Sequence, residues 1–183
     1  MKPLSRHSVT SKTSDKHYIA SLVMIGLLAS NMVSAEANGN MLNLINEGFR
    51  VSQYSYQIDT SLLQGNVSII EQQGHNNHAS IAQSRSAHYQ LSNFSKIYQY
   101  GNNNQAAIIQ NNGNNVGVIW QVGDNQTANI SQQGNNFSLR ADIYQIGFNG
   151  DVTISQSGSG QRSVSVQQQN YSSYSRPVTI DTY

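Results

Sequence analysis

Residues 116–136 read VGVIWQVGDNQTANISQQGNN. Two copies of one pattern lie in this stretch: Gly117-x-Ile119-x-Gln121-x-Gly123-x-Asn125, then Ala128-x-Ile130-x-Gln132-x-Gly134-x-Asn136. The marked residues are two apart. In a strand, period two sends them all to one face, whereas a helix would scatter them around its circumference. Isoleucine favours strands, and Gly-x-Asn supplies the positive φ of a tight turn. The stretch therefore predicts strand, turn, strand, turn.

The same unit recurs on both sides of this stretch, and repeats are read before local structure. It appears as Ser68-Ile70-Gln72-Gly74-Asn76, Ser95-Ile97-Gln99-Gly101-Asn103, Ala141-Ile143-Gln145-Gly147-Asn149 and Val152-Ile154-Gln156-Gly158. Looser copies are Ala79-Ile81-Gln83 and Ala107-Ile109-Asn111-Gly113-Asn115, where Asn111 replaces glutamine. Gln99, Gln121, Gln145 and Gln167 follow one another by 22, 24 and 22 residues. Gln72 precedes Gln99 by 27, which places an insertion within 86–93. Five repeats result, at about 66–92, 93–115, 116–138, 139–160 and 161–183. The fifth is degenerate: Gln167 and Gln169 crowd the glycine position, and Arg162, Arg176 and Pro177 interrupt it.

A unit of this length gives one strand to each of two facing sheets. It cannot bury its face alone, but stacked copies can, at about 4.7–4.8 Å per rung. The expected fold is all-β: a two-sheet β-solenoid of about five strand-turn-strand repeats, cross-β amyloid when assembled. Stacking lays isoleucine on isoleucine at the inward positions 70, 81, 97, 109, 119, 130, 143 and 154. It also lays glutamine on glutamine. An amide carries donors and an acceptor, so a column can satisfy itself along the axis. The expected ladders are Gln72/Gln99/Gln121/Gln145/Gln167 and Gln83/Gln110/Gln132/Gln156, with Asn111 as the alternative to Gln110. Such a stack ends in open strand edges, which most proteins block. Unblocked, they make an open, heterologous contact that propagates into a fibre.

Composition agrees with this reading. Charged residues are 10% of the 183, and ten tyrosines contribute to the 37% apolar fraction. Chains rich in Asn, Gln, Ser and Gly and low in charge are β-aggregating rather than simply disordered. There is no cysteine, so neither disulfides nor thiolate sites are available. Proline occurs only at Pro3 and Pro177, so nothing in the middle forbids strand pairing.

The first 35 residues read as a secretory signal. Lys2, Arg6, Lys12 and Lys16 form a basic leader, residues 18–29 (YIASLVMIGLLA) the apolar run, and Val33-Ser34-Ala35 the cleavage positions. A run of 12 apolar residues falls short of the about 20 that span a bilayer. Cleavage would remove four of ten basic residues and one of nine acidic ones, leaving six against eight, near −2. No basic surface then remains for nucleic acid. Residues 36–65 lack the repeat.

Residues 66–168 resemble the curlin repeat family, the subunits of bacterial curli fibres, in their Gln-x-Gly-x-Asn blocks and Ala-x-Ile-x-Gln strands. NNNQAAIIQNNGNN (102–115) looks most like the minor curlin, the nucleator. IYQYGNNN and IYQIGFNG also look like repeats of the major subunit. The resemblance implies export unfolded through a dedicated outer-membrane pore with accessory factors, with 36–65 as an export segment outside the amyloid core. It implies extracellular polymerisation at the cell surface into a fimbrium with a major curlin subunit and with itself, supporting biofilm and adhesion. A divergent last repeat resembles the minor subunit, where it is linked to surface attachment; Arg162 and Arg176 are the candidate residues here. The expectation is a minor curlin-type nucleator. The alternatives are the major subunit and a monomeric β-solenoid adhesin.

Other chemistry is not expected. His75 and His78 are three apart but sit among solvated turn residues, with no cysteine or carboxylate to complete a metal set. Glu71, Asp124, Asp142 and Asp151 fall in or beside turns, where acids limit lateral aggregation. No catalytic residue, metal or cofactor is assigned. Tyr98, Trp120 and Tyr144 alternate with the inward positions and are expected on the outer faces.

Overall fold

A strand that buries only its Ile/Gln face needs a second such face opposite and a rung above and below. The computed structural model meets both needs; it describes residues 51–85, 91–134, 138–158, 160 and 162–183. One sheet contains β1 (Val67–Gln73), β3 (Phe94–Tyr100), β5 (Asn115–Asp124), β7 (Leu139–Phe148) and β9 (Arg162–Asn170), in that order. The other contains β2 (His78–Gln83), β4 (Gln105–Asn111), β6 (Thr127–Gly134), β8 (Asp151–Gly158) and β10 (Val178–Thr182). Each strand pairs in parallel with the strand two places on. Parallel neighbours need a crossover connection, and here the strand of the opposite sheet provides it. The fold is almost entirely β, a parallel β-solenoid of five strand-turn-strand rungs.

Register follows the pattern. Ile70, Ile97, Ile119, Ile143 and Val166 stack in the first sheet. Ile81, Ile108, Ile130, Ile154 and Ile180 stack in the second. These columns, apart from the exposed Ile70, and the small residues Ala106, Ala128, Ala141 and Val152 form the apolar core between the sheets.

The corners after the first-sheet strands repeat one conformation. Asn76, Asn103, Asn125 and Asn149 have φ of 55 to 56°. Gly74, Gly101, Gly123 and Gly147 have φ of 101 to 123°. A Cβ at Gly123 would fall 1.7 Å from the Gly147 carbonyl oxygen, so the close approach of rungs, as well as φ, requires glycine there.

The described part of the segment before the repeats, residues 51–65, adds no strand, yet it is docked. Residues 51–57 are helical, and a 3-10 turn, Thr60–Leu62, follows. Arg140 donates to the backbone carbonyls of Ser55 and Ile58, the latter at 2.8 Å. Ser55 Oγ donates to Asp142 at 3.1 Å, and Thr60 Oγ1 donates to Asn114. Tyr54 packs edge-on to Phe94, with centroids 6.1 Å apart. This strap therefore lies across the outer face of the first sheet from β3 to β7. Residues 1–35, 36–50 and 86–90, on which the signal, most of the non-repeat segment and most of the insertion were expected, lie outside the described residues.

Candidate assembly site

Stacking in register brings successive amides within hydrogen-bonding reach. In the first sheet Gln72 Nε2 donates to Gln99 Oε1 at 2.7 Å, Gln99 to Gln121 at 2.8 Å, Gln121 to Gln145 at 2.9 Å, and Gln145 to Gln168 at 2.9 Å. In the second, Gln83 donates to Gln110 at 2.8 Å, Gln110 to Gln132 at 2.8 Å and Gln132 to Gln156 at 2.9 Å. Gln99, Gln110, Gln121, Gln132 and Gln145 are 0% exposed. Their polarity is tolerable in a core because each amide finds partners.

Two expected positions are displaced by one residue. Gln168, not Gln167, holds the fifth place of the first ladder; Gln167 pairs with Tyr144 and faces outward. Ile108, not Ile109, is inward: Ile108 is 0% exposed and Ile109 47%. Ile109 and Gln110 are neighbours, and neighbours on a strand point to opposite faces, so both cannot be inward. The amide column keeps Gln110, and the Gly113 turn shifts with it. Asn112 and Asn114 take positive φ beside Gly113, while Asn115, expected in that turn, is the buried first residue of β5.

The remaining turn positions are placed as follows. Gly158 and Gly160 have φ of 102° and 134°, and Gly134 ends β6 opposite Gly158. Asn136 lies outside the described residues. Arg162 opens β9, and Arg176 lies in the loop before β10.

Sequence reading missed two further polar columns at the corners. Asn66 Oδ1 accepts from Asn93 N at 3.0 Å, and Asn93 Oδ1 from Asn115 Nδ2 at 3.0 Å. Asn77 Oδ1 accepts from Asn104 N at 3.0 Å, and Asn104 Oδ1 from Gln126 N at 3.1 Å. The signal was present: Asn66 and Asn93 immediately precede a strand, as Asn77, Asn104 and Gln126 do. It was hidden because asparagine is abundant everywhere in the chain.

The outer aromatic residues are not an exposed platform. Trp120 is 6% and Tyr144 1% exposed. Tyr98 stacks on Trp120 with centroids 4.3 Å apart. Lys96, also buried, bridges to Glu71 at 3.0 Å and stands 5.9 Å from both the Tyr54 and Trp120 rings. Beside them Asp142 accepts from Ser165 Oγ at 2.6 Å and from Ser55. Burial raises its carboxyl above the usual range, and these two hydroxyls pull it partly back.

The open surface is at the ends. β1 and β2 are the outermost strands of the first rung, and no described strand pairs with their free edges. Ile70, inward in register, is 45% exposed there, and Gln72 is exposed beside it. Among the described residues, no three His, Asp or Glu side chains gather to hold a metal ion. The sequence matches no protein-family model, and comparison with curated proteins and with solved structures returns no match.

Proposed function

We propose that this chain is a secreted fibre subunit of the curlin kind, one that nucleates extracellular amyloid at a cell surface. One observation carries the reading: an uncapped first rung that ends two continuous glutamine ladders. An open edge with its inward apolar and amide groups already in register is a template for another rung. A partner strand gains backbone pairing, apolar burial and an amide link at once. The leader at 1–35 and the resemblance of the repeats support export and the surface location. The partners that follow are a major curlin subunit, the chain itself, and the outer-membrane pore with its accessory factors. Nucleator is favoured over bulk subunit because the last rung is irregular while the first is regular.

The test is assembly of purified chain beginning at residue 36. The expected result is thioflavin-positive fibrils with a meridional cross-β reflection at about 4.7 Å. Substoichiometric addition to a polymerising repeat protein should shorten that protein's lag. A chain that stays monomeric at every concentration, and leaves the lag unchanged, excludes the proposal and points to the monomeric adhesin.

A further inference from the structure

The ladder amides are oriented, and their orientation gives the solenoid a direction. Nε2 of Gln99, Gln121 and Gln145 donates once to the next glutamine and once across the core, to the carbonyls of His78, Gln105 and Thr127. Gln83, Gln110 and Gln132 do the same toward the carbonyls of Val67, Phe94 and Val116. A carbonyl only accepts, so the nitrogen must face it and the oxygen must face the preceding rung. Every ladder link therefore runs from nitrogen to oxygen toward the C-terminal rung.

The two ends differ as a result. At the first rung Gln72 Oε1 receives no hydrogen bond from the described residues, and Ile70 stands open beside it. At the last rung the donors are already spent or missing. Gln168 Nε2 is turned onto the Arg176 carbonyl at 2.7 Å, with Asp151 O at 3.4 Å. In the second sheet Thr182 occupies the glutamine position opposite Gln156. Among the described residues Gln156 Nε2 is buried there without a partner, and so is Thr182 Oγ1. The first rung thus needs an amide donor that the chain's own last rung does not present. A joint between two copies would set Gln72 against a committed Gln168, and Gln83 against Thr182.

We infer that the β1–β2 rung is a docking surface for the last rung of a different β-solenoid, one with glutamine at both inward positions, and that growth does not pass through this chain's β9–β10 rung. The inference deepens the nucleator reading by naming the end and the partner's chemistry, and it rests on that reading.

The experiment uses the full chain from residue 36 as seed. The probe is a synthetic peptide of residues 116–138, which carries Gln121 and Gln132 at the two inward positions. Its thioflavin lag is measured with substoichiometric seed. Wild type shortens the lag, Ile70→Lys loses that effect and Ile180→Lys keeps it. Gln72→Ala weakens seeding, and assaying it well below its own melting temperature, where circular dichroism shows the seed fully folded, separates lost docking from the stability lost with its bond to Gln99. Thr182→Gln supplies the missing amide and hastens the chain's assembly on itself. Seeding that survives Ile70→Lys, or that is lost equally in Ile180→Lys, overturns the inference while leaving nucleation standing. A wild-type seed with no effect on the lag overturns both.

Discussion

Gln121 shows what a single residue contributes in this fold. Its Oε1 accepts from Gln99, and its Nε2 donates to Gln145 and to the Gln105 carbonyl. Truncation removes all three bonds and leaves buried groups on both neighbouring rungs unpaired. Unsatisfied buried groups cost more than the net gain of a bond, so Gln121→Ala should destabilise by about 2–4 kcal/mol. Gln133, exposed on the outer face of β6, should change stability by less than about 0.5 kcal/mol when replaced by alanine. Urea midpoints of the two variants decide this, and equal midpoints would contradict the ladder. These residues were legible in the sequence because glutamine recurs two places after isoleucine. Legibility failed where the pattern was locally degenerate. IIQN at 108–111 and VQQQ at 166–169 each offer two registers, and only the neighbouring rungs select one. A slip of one residue reverses every side chain, so the choice between Ile108 and Ile109 is made by the fold as a whole.

At the scale of elements, the strands were legible and the strap was not. Residues 51–63 have no repeat and no strong periodicity, so nothing in them announces that they lie across β3 to β7. Arg140 and Asp142 receive them, and Asp142 reads in the sequence as an ordinary turn acid. Asp142 is now the informative one. It is 1% exposed and has no ion pair among the described residues, so burial outweighs the two serine hydroxyls and raises its pKa. The folded chain then binds a proton there at a pH where the unfolded chain has released it. Stability should fall as pH rises from the ordinary carboxylate range through the raised value, and level off above it. Asp59 contributes the opposite sign at lower pH, because its bonds from Ser61 hold it below the usual range. Asp59 is common to both proteins, so the difference between wild type and Asp142→Asn isolates Asp142. Asparagine retains a carbonyl for one serine, and its amide can donate to the other. The variant should therefore lose the pH-dependent step and be the more stable protein at neutral pH. Melting temperatures from pH 4 to pH 8 measure this, and parallel profiles would refute the assignment.

At the scale of the molecule, the five rungs form a one-dimensional stack in which each touches only its neighbours. In such a stack the terminal rungs have one neighbour instead of two and open first. The number of rungs could be read from the repeat spacing. Which end is closed could not, because closure depends on the Arg176 backbone carbonyl and on Thr182 falling in the glutamine register. Neither leaves a mark in the repeat pattern. Hydrogen exchange converts this difference into a measurement. In the free chain, amides of β5 to β8 should exchange most slowly and those of β1, β2 and β10 fastest. On seeding a partner solenoid, β1 and β2 should become protected, because their free edges acquire backbone partners. β10 should keep its rate, since its rung has no free amide donor to offer the acceptors of an incoming rung. The strap should also keep its rate, because it contacts β3 and β7 through side chains that assembly does not disturb. Protection gained at β10 and not at β1 and β2 would reverse the polarity of the stack, and uniform protection along all ten strands would mean that monomer folding and assembly are a single event.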